Sequence, residues 1–187
     1  MAVEFAPRPT PGAGALATKR LVLRPFRLSD GPIVETLAGD FDVAKMLDVV
    51  PYPYPAGEAA RWISTHDASR DGGREYPFAI EREGELVGCV GLNRETDGLF
   101  HLGYWIGKPF WGHGYATEAA HAALAFAFDE LGEGEVKSGH YADNHASGRV
   151  MTKLGFRYAK ESMRFCKARG HAVRFLDTRL AREQFRR

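Results

Sequence analysis

The sequence predicts a single α/β domain of the α+β type, built on a mixed, mostly antiparallel sheet of about seven strands with helices on its faces. Its 187 residues fit one domain. Hydrophobic residues make up 44% and charged residues 26% of the chain, close to the average of globular proteins, so a substantial core can form. Segments of strand and helix character follow one another in the order β-α-α-β-β-β-α-β-α-β-β, which is typical of such a layered domain.

The N-terminal segment, residues 1–17, predicts a flexible arm, because its prolines and glycines disfavour both helices and strands. The folded domain then covers residues 18–187. No internal repeat divides it, so we expect one continuous core.

The first half of the domain alternates apolar segments with turn residues, which mark the ends of its elements. Glycines within the later strands indicate bulges or a close approach of backbones. The predicted elements are a strand at 21–26, a helix at 32–38 with Ser29-Asp30 as N-cap and Gly39 as its end, a proline-rich loop at 50–55, a helix at 56–68 with Trp62 and Ile63 facing inward, and an antiparallel meander of strands at 77–82, 86–92 and 99–106.

The second half opens with a glycine-containing loop that leads into an alanine-rich segment of helical periodicity. Glycines end both of its predicted helices. The predicted elements are the loop at 109–114, a helix at 115–131 with Phe126 and Phe128 in the core, a strand at 135–141, a helix at 146–154 closed by Gly155, and strands at 156–158 and 172–178.

Charge and composition exclude several classes of function. The net charge is +1, from 25 basic and 24 acidic residues, which argues against a broad nucleic-acid-binding surface. Cys89 and Cys166 are far apart in sequence, which predicts buried thiols in a reducing compartment and neither a disulfide nor a metal site. No apolar run approaches the ~20 residues that span a membrane, and no secretion signal begins the chain. We therefore expect a cytoplasmic protein with no membrane or nucleic-acid partner.

The loop before the alanine-rich helix has the features of an anion site. A helix start presents unpaired N–H donors and a partial positive charge. Small residues at Gly112, Gly114 and Ala116 would let a diphosphate approach that backbone closely, and Thr117 could add a hydroxyl. On spacing alone a plain turn is the alternative. The segment is neither a Walker loop nor a dinucleotide-binding fingerprint.

Three blocks carry a resemblance to a known family. Residues 103–119, which read GYWIGKPFWGHGYATEA, resemble the acetyl-CoA loop of the GCN5-related N-acetyltransferases (GNAT), in the branch named for ribosomal-protein N-terminal (alanine or serine) acetyltransferases. The family loop reads Gln/Arg-x-x-Gly-x-Gly/Ala, and here the first position departs, because Trp111 precedes Gly114 and Ala116. Residues 144–156 and 20–25 resemble two further blocks, so the resemblance spans about 18–180.

The resemblance implies a GNAT fold in which two neighbouring strands splay apart in the middle of the sheet and admit the pantetheine arm of acetyl-CoA. No metal is implied. The implied cofactor-binding residues are Trp105 and Ile106 through strand backbone, Gly112, His113, Gly114, Tyr115, Ala116 and Thr117 through amides at the diphosphate, and Asn144 near the pantetheine.

The implied reaction is direct transfer of an acetyl group from acetyl-CoA to a primary amine. Ser147 matches the family position of the hydroxyl that assists the departing thiolate, although an ordinary helix cap is the alternative. Tyr141 and Tyr158 are rival donors. His101 stands where many relatives carry a glutamate base, and an imidazole suits that task at neutral pH. A plain strand histidine is the alternative, and His113 and His140 rank lower.

The remaining expectations concern the acceptor and the surroundings of the site. Tyr52 and Tyr54 lie where relatives wall the acceptor pocket, although simple packing of the loop explains them equally well. We expect His66 to be a solvated helix residue and Glu118 to help hold the loop. The acceptor amine can be a protein N-terminus or a small molecule, and a homodimer is plausible by family likeness. A non-catalytic acyl-CoA-binding domain is the main alternative, and an RNA-associated module based on the basic C-terminal region is weaker.

Overall fold

The computed structural model describes residues 14–186, and these form one eight-stranded sheet with helices on both faces. The strand order is β1-β2-β3-β4-β5-β6-β8-β7, and all neighbours except β5 and β6 are antiparallel. The strands are β1 (Leu16–Ala17), β2 (Val22–Arg24), β3 (Glu75–Arg82), β4 (Glu85–Arg94), β5 (Phe100–Ile106), β6 (Glu135–Tyr141), β7 (Arg157–Cys166) and β8 (His171–Ala181).

The helices fall into two groups. The first four connect β2 to β3, whereas the last two flank β6 in sequence. The helices are α1 (Gly31–Ala38), α2 (Phe41–Ala44), α3 (Glu58–Ser64), α4 (His66–Asp71), α5 (Tyr115–Ala125) and α6 (His145–Leu154). The largest buried cluster joins α5 and α6 to one face of the sheet, and a smaller one joins α1 and α3 to the opposite face. The predicted α/β fold with a mostly antiparallel sheet is confirmed.

The sheet gains its eighth strand from the end of the predicted arm. Residues 1–13 lie outside the described part of the chain. Leu16 and Ala17 pair with Leu23 and Val22 of β2, so the arm was predicted to extend too far. The proline- and glycine-rich composition ends before Leu16, whose side chain packs against the main core.

In place of the single helix predicted at 56–68, the structure has two short helices, α3 and α4, which are separated at Thr65. The Thr65 hydroxyl donates to the carbonyl of Trp62 at 2.8 Å, which competes with the regular helical ladder. The prediction that His66 is solvated was wrong, since its ring is only 4% exposed and packs edge-on against Phe26 and Trp62.

Asp30 is the N-cap residue of α1, as predicted, but its carboxylate does not cap the helix, which follows directly on a 3-10 turn at Leu28–Asp30. Its oxygens instead accept from the Arg27 amide at 2.7 Å and from the Arg24 guanidinium at 2.8 and 3.0 Å. Arg24 also donates to Glu81 of β3 at 2.6 Å, which ties the first turn to the sheet.

The C-terminal strands are longer than predicted, and the alanine-rich helix is shorter. α5 ends at Ala125 and continues as a π-turn over Phe126–Glu130, with Phe126 and Phe128 buried as expected. β7 and β8 form a hairpin of 10 and 11 residues. β7 is an edge strand whose side chains are mostly exposed, so its polar sequence concealed its length.

The sheet opens between β5 and β6. These two strands pair in parallel only at Phe100↔Val136 and His101↔Lys137, and then separate. We call the space between residues 102–106 and residues 138–141 the β5–β6 gap. Beside it the backbones of β5 and β4 approach closely, since a Cβ at Gly88 would lie 2.3 Å from the Trp105 carbonyl oxygen. The splayed sheet implied by the family resemblance is therefore confirmed.

Candidate active site

The start of α5 is free of side-chain caps. Gly114, the N-cap residue, has φ +79° and contributes no side chain, and the first helical bond runs from the Glu118 amide to the Gly114 carbonyl. Within residues 14–186, no acceptor contacts the amides of Tyr115, Ala116 or Thr117. Such a helix start attracts anions, because its donors and the helix dipole are both unsatisfied.

The loop that precedes α5 leaves room above these amides. A Cβ at Gly112 would meet nothing within 4 Å, and one at Gly114 would meet only the Arg20 guanidinium at 3.6 Å. Both glycines have positive φ, of 82° and 79°, which favours glycine over other residues at these positions. The space that a diphosphate would need is therefore open.

Two arginines that the sequence did not single out lie beside this space. The guanidinium carbons of Arg20 and Arg82 lie 4.9 and 5.7 Å from the centre of the Tyr115 ring, and the His113 ring stacks on Tyr115 at 5.3 Å. The arrangement brings two guanidinium groups close to the uncapped helix start, where they can donate to a polyanionic ligand although Arg20 also pairs with Glu118 and Arg82 with Glu83.

Glu118 holds Arg20 in this position, whereas the sequence predicted that it would hold the loop at 109–114. Its oxygens accept from the Thr18 hydroxyl at 2.6 Å, from the Arg20 amide at 2.8 Å and from the Arg20 guanidinium at 2.7 Å. Burial pushes the pKa of Glu118 up, but these hydrogen bonds outweigh burial and hold the pKa below its usual value. The turn between β1 and β2 is thus attached to α5.

The backbone of β5 faces the gap at alternate residues. The Gly107 amide donates to Val87 of β4, whereas the Leu102 carbonyl accepts from the Ser138 hydroxyl of β6 at 2.8 Å. Alternate residues of a strand direct their backbone groups to opposite neighbours. Tyr104 and Ile106 therefore turn their backbone groups toward the gap, and Trp105 turns its own toward β4.

The last carbonyl on this open edge is already occupied. The indole Nε1–H of Trp111 donates to the Ile106 carbonyl oxygen at 2.6 Å. Trp111 belongs to the glycine-containing loop, so this bond links the loop to the end of β5. The Ile106 amide lies on the same edge.

Asn144 and Ser147 lie across the gap at the start of α6. Asn144 is the N-cap of that helix, and its Oδ1 accepts from the Ser147 amide at 3.1 Å. Ser147 is therefore not the cap, and its hydroxyl instead contacts the Tyr104 hydroxyl at 2.6 Å. Sequence reasoning missed Tyr104. The alternation along β5, which places it beside Leu102 and Ile106 on the α5–α6 face, is the signal that could have found it.

His101 lies at the end of the paired segment, on the opposite face of the sheet from Tyr104. It lines a cavity of about 330 Å³ that also contacts Lys137, Arg164 and Asp177. Among the described residues its Nε2 is buried without a hydrogen-bond partner. Burial, and then the positive charge of Arg164, lower the pKa of His101 below its usual value, so the ring is neutral at pH 7.

The two tyrosines expected at the acceptor wall differ in exposure. Tyr52 is 51% exposed and packs against Phe41 with ring centres 4.9 Å apart. Tyr54 is half-buried on the α1–α3 cluster, which Trp105 also contacts. Burial raises the pKa of Tyr54, and so do the nearby carboxylates of Glu35 and Glu58.

The hydroxyls of the rival proton donors Tyr141 and Tyr158 do not face the Ser147 side of the gap. The Tyr141 side chain packs with Cys166 and Phe175 on the opposite face, and its hydroxyl donates to the Phe165 carbonyl at 3.4 Å. Tyr158 is exposed on the edge strand β7. The His140 ring lies beside the start of α6, since a Cβ at Gly148 would be 3.0 Å from its Nε2, and its Nδ1 contacts the Tyr141 carbonyl at 2.8 Å.

The described part of the chain has neither a cluster of metal ligands nor a membrane-spanning helix. Between residues 14 and 186, no three histidine, cysteine, aspartate or glutamate side chains lie close enough to hold a metal ion. Over the same range no helix combines the length and the apolar character that crossing a membrane requires.

Comparison with known proteins gives one consistent result. The family model described as "Acetyltransferase (GNAT) domain" matches residues 20–157. The chain is 24% identical over 161 residues to the uncharacterized N-acetyltransferase p20 of Bacillus licheniformis, which covers 84% of this chain and 90% of that protein. It is 29% identical over 115 residues to the ribosomal protein uS5-alanine N-acetyltransferase of Escherichia coli, with 58% and 59% covered. Its fold is similar to that of RimJ from Mycobacterium smegmatis, solved in complex with CoA-disulfide, at a TM-score of 0.80 and 24% identity over 89% of this chain and 84% of that one.

Proposed function

The chain belongs to the GNAT family of acetyltransferases, and on that premise we propose that it transfers an acetyl group directly from acetyl-CoA to a primary amine. The observation that carries this proposal is the combination of an uncapped α5 start with the open β5–β6 gap beside it. The two features together offer an anion site and a free strand edge, which are the two kinds of contact that coenzyme A needs.

In this proposal the amides of the α5 start bind the diphosphate of acetyl-CoA. The residues involved are Gly112, His113, Gly114, Tyr115, Ala116 and Thr117, with Arg20 and Arg82 adding positive charge. The open space at Gly112 and Gly114 supports this arrangement. The backbone groups of Tyr104 serve the pantetheine as a neighbouring strand would, and Asn144 lies near it.

The reaction requires a neutral amine, because an ammonium group has no electron pair with which to attack the thioester. In this proposal His101 takes the proton of the acceptor amine, directly or through water. Its lowered pKa keeps it neutral, and its buried, unpartnered Nε2 is available as an acceptor. The cavity beside it gives the proton a route to solvent.

Two groups stabilise the charges that develop as the acetyl group moves. The Ile106 amide donates to the thioester oxygen as it becomes negative. Ser147 donates a hydrogen bond to the sulfur as the carbon–sulfur bond breaks and its electron pair stays on sulfur. Ser147 is free for this role because Asn144 caps the helix in its place.

The acceptor in this proposal is the primary amine of a protein N-terminus or of a small molecule. The similarity to an enzyme named for a ribosomal-protein N-terminal alanine favours a peptide. Tyr52, Tyr54 and Trp105 would form the wall of its pocket. Tyr54 and Trp105 both pack against the α1–α3 cluster. A homodimer and a cytoplasmic location stay predictions of the sequence.

A pair of glycine variants tests the cofactor site. Gly114→Trp fills the space above the α5 amides, whereas Gly98→Trp adds the same side chain in a hairpin turn of similar φ, +83° against +79°. Because the two φ values are similar, a side chain strains the backbone about equally at both positions, and a Cβ at Gly98 meets nothing within 4 Å. We expect titration calorimetry to show CoA binding by the Gly98 variant and none by the Gly114 variant. Equal binding by both would refute the assignment of the site.

A turnover assay separates the enzyme from a non-catalytic acyl-CoA-binding domain. A panel of peptides with free N-termini and small amines is incubated with acetyl-CoA, and release of free thiol is measured. We expect release that depends on the acceptor. Binding of CoA without release from any acceptor would favour the binding domain.

A further inference from the structure

Tyr104 and Ser147 form a contact across the β5–β6 gap. Tyr104 belongs to β5 on one side, Ser147 belongs to α6 on the other, and their hydroxyl oxygens lie 2.6 Å apart. Within the described residues, no other side chain contacts the Ser147 hydroxyl, and the Ser147 amide is occupied by Asn144. The orientation of the serine hydroxyl therefore depends on Tyr104.

We infer that Tyr104 is a positioning residue, which donates its phenolic hydrogen to Ser147 and thereby directs the serine hydrogen toward the leaving sulfur. The inference rests on the proposed function, because it assigns Tyr104 a role in that same reaction. It adds a residue that neither the glycine-containing loop nor the α6 block contains.

The direction of the hydrogen bond follows from the chemistry of the two hydroxyls. A hydroxyl has one hydrogen to donate and can accept two. A phenol is a stronger acid than an alcohol, so the stable arrangement has Tyr104 donating and Ser147 accepting. The serine hydrogen is then unused and can be donated to a group in the gap.

Burial keeps Tyr104 in the state that this arrangement needs. The ring is packed against the main core, and burial raises the pKa of the phenol well above its usual value despite the hydrogen bond to Ser147. Tyr104 therefore carries its hydrogen throughout the neutral range, and it does not lose that hydrogen during the reaction.

The hydrogen bond from Tyr104 to Ser147 matters when the carbon–sulfur bond breaks. The electron pair stays on sulfur, and the thiolate accepts a hydrogen bond from Ser147 before it takes a proton from water. A serine oxygen that already accepts from Tyr104 is a stronger donor, because neighbouring hydrogen bonds polarise one another. Tyr104 thus acts through Ser147 without touching the substrate.

The test uses Tyr104→Phe, which removes the hydroxyl and keeps the ring. We expect kcat to fall about tenfold while KM for acetyl-CoA stays within about twofold, as for an interaction that matters only in the transition state. Ser147→Ala should lower kcat at least as much. The double variant should be no slower than Ser147→Ala alone, because Tyr104 has nothing to position once the serine hydroxyl is gone.

Tyr76→Phe is the matched control, since it removes a buried tyrosine hydroxyl from β3, two strands away from the gap. We expect it to keep the kcat of the wild type. Full kcat in Tyr104→Phe, or losses that add in the double variant, would overturn the inference while leaving the proposed function intact. If the wild-type protein releases no thiol with any acceptor, the proposed function itself fails, and the inference fails with it.

Discussion

The Trp111 indole and the Ile106 carbonyl join two parts of the site that are separated in sequence by a 3-10 turn at Lys108–Phe110. The hydrogen bond is 2.6 Å long and fixes the start of the loop against the end of β5. The diphosphate-binding amides and the strand edge therefore have a defined spacing. Coenzyme A must reach both at once, so this spacing matters for its binding.

Trp111→Phe should separate that hydrogen bond from the packing of the ring. Loss of one hydrogen bond of about 1 kcal/mol predicts a fall of about fivefold in kcat/KM for acetyl-CoA. Because Trp111 is 46% exposed, we expect the thermal midpoint to change little. Steady-state kinetics and a melting curve measure the two effects. An unchanged kcat/KM would show that the loop holds its position without this bond.

Glu118→Gln should loosen the attachment of the β1–β2 turn to α5. The variant keeps the shape but loses the charge to which the Arg20 guanidinium and the Thr18 hydroxyl donate. Since Arg20 is partly exposed, we expect a loss of about 1 kcal/mol in the free energy of unfolding. Denaturation by urea measures it. Glu130→Gln, a change of the same kind at the end of the following π-turn, is the control and should have no effect.

The Glu118 interaction should also weaken at low pH. Its pKa lies below the usual value in the folded chain, so the unfolded chain binds the proton first as the pH falls. The stabilisation is complete above the usual pKa near 4.5 and is lost as the pH falls through the folded value. The difference between wild type and Glu118→Gln should therefore shrink in acid. A difference that is constant with pH would contradict this account.

His101→Gln tests the proposed base. We expect kcat to fall roughly a hundredfold, because a base in position contributes at least that factor. In the wild type the lowered pKa keeps the ring neutral, so kcat should stay level as the pH falls to 6.5 and decline only below it. The charged groups that act on the ring are Arg164, Glu95, Asp48 and Lys137.

The shape of the pH profile distinguishes a base from a structural histidine. The decline of kcat at low pH, which is the acid limb of the profile, should disappear in His101→Gln if protonation of this ring causes it. His171→Gln, at the exposed turn between β7 and β8, is the control and should keep both the rate and the limb. An acid limb that survives in His101→Gln would move the base to another residue.

Local patterns in the sequence were sufficient for much of the fold. The strand at 135–141 and the end of α6 at Gly155 lie where periodicity and the glycine predicted them, because both signals are local. The break at Thr65 was not predictable in this way, since its hydroxyl bonds to a backbone carbonyl that the helical pattern does not reveal. The hairpin of β7 and β8 was underestimated because an edge strand can be polar.

The same distinction between local patterns and long-range contacts applies to the residues of the site. The loop residues and Asn144 could be singled out because they form contiguous motifs. Arg82 could not, because it acts on Tyr115, far away in sequence, and the alternation along β5 gives the face of Tyr104 but not its contact with Ser147. Such pairs depend on the register of β3 and β5 in the sheet, which no motif encodes.

The burial of His66 also could not be read from the sequence, and it leads to a further prediction. Its surroundings are apolar and aromatic, from Phe26 and Trp62, and both ring nitrogens are buried without a partner among the described residues. Burial, and then the charge of Arg70, lower the pKa of His66 from 6.5 to about 4. The folded chain therefore resists protonation of this ring.

The free energy of unfolding should fall as the pH drops from about 6.5 to about 4, because over that range the unfolded chain binds a proton at His66 and the folded chain does not. At pH 5 the loss relative to pH 8 should be about 2 kcal/mol from this residue alone. His66→Phe keeps an aromatic ring between Phe26 and Trp62 and has no proton to bind. Its unfolding free energy, measured with urea at both pH values, should therefore decline about 2 kcal/mol less than that of the wild type. Parallel declines in the two proteins would mean that the His66 ring accepts its proton in the folded state as readily as in the unfolded one.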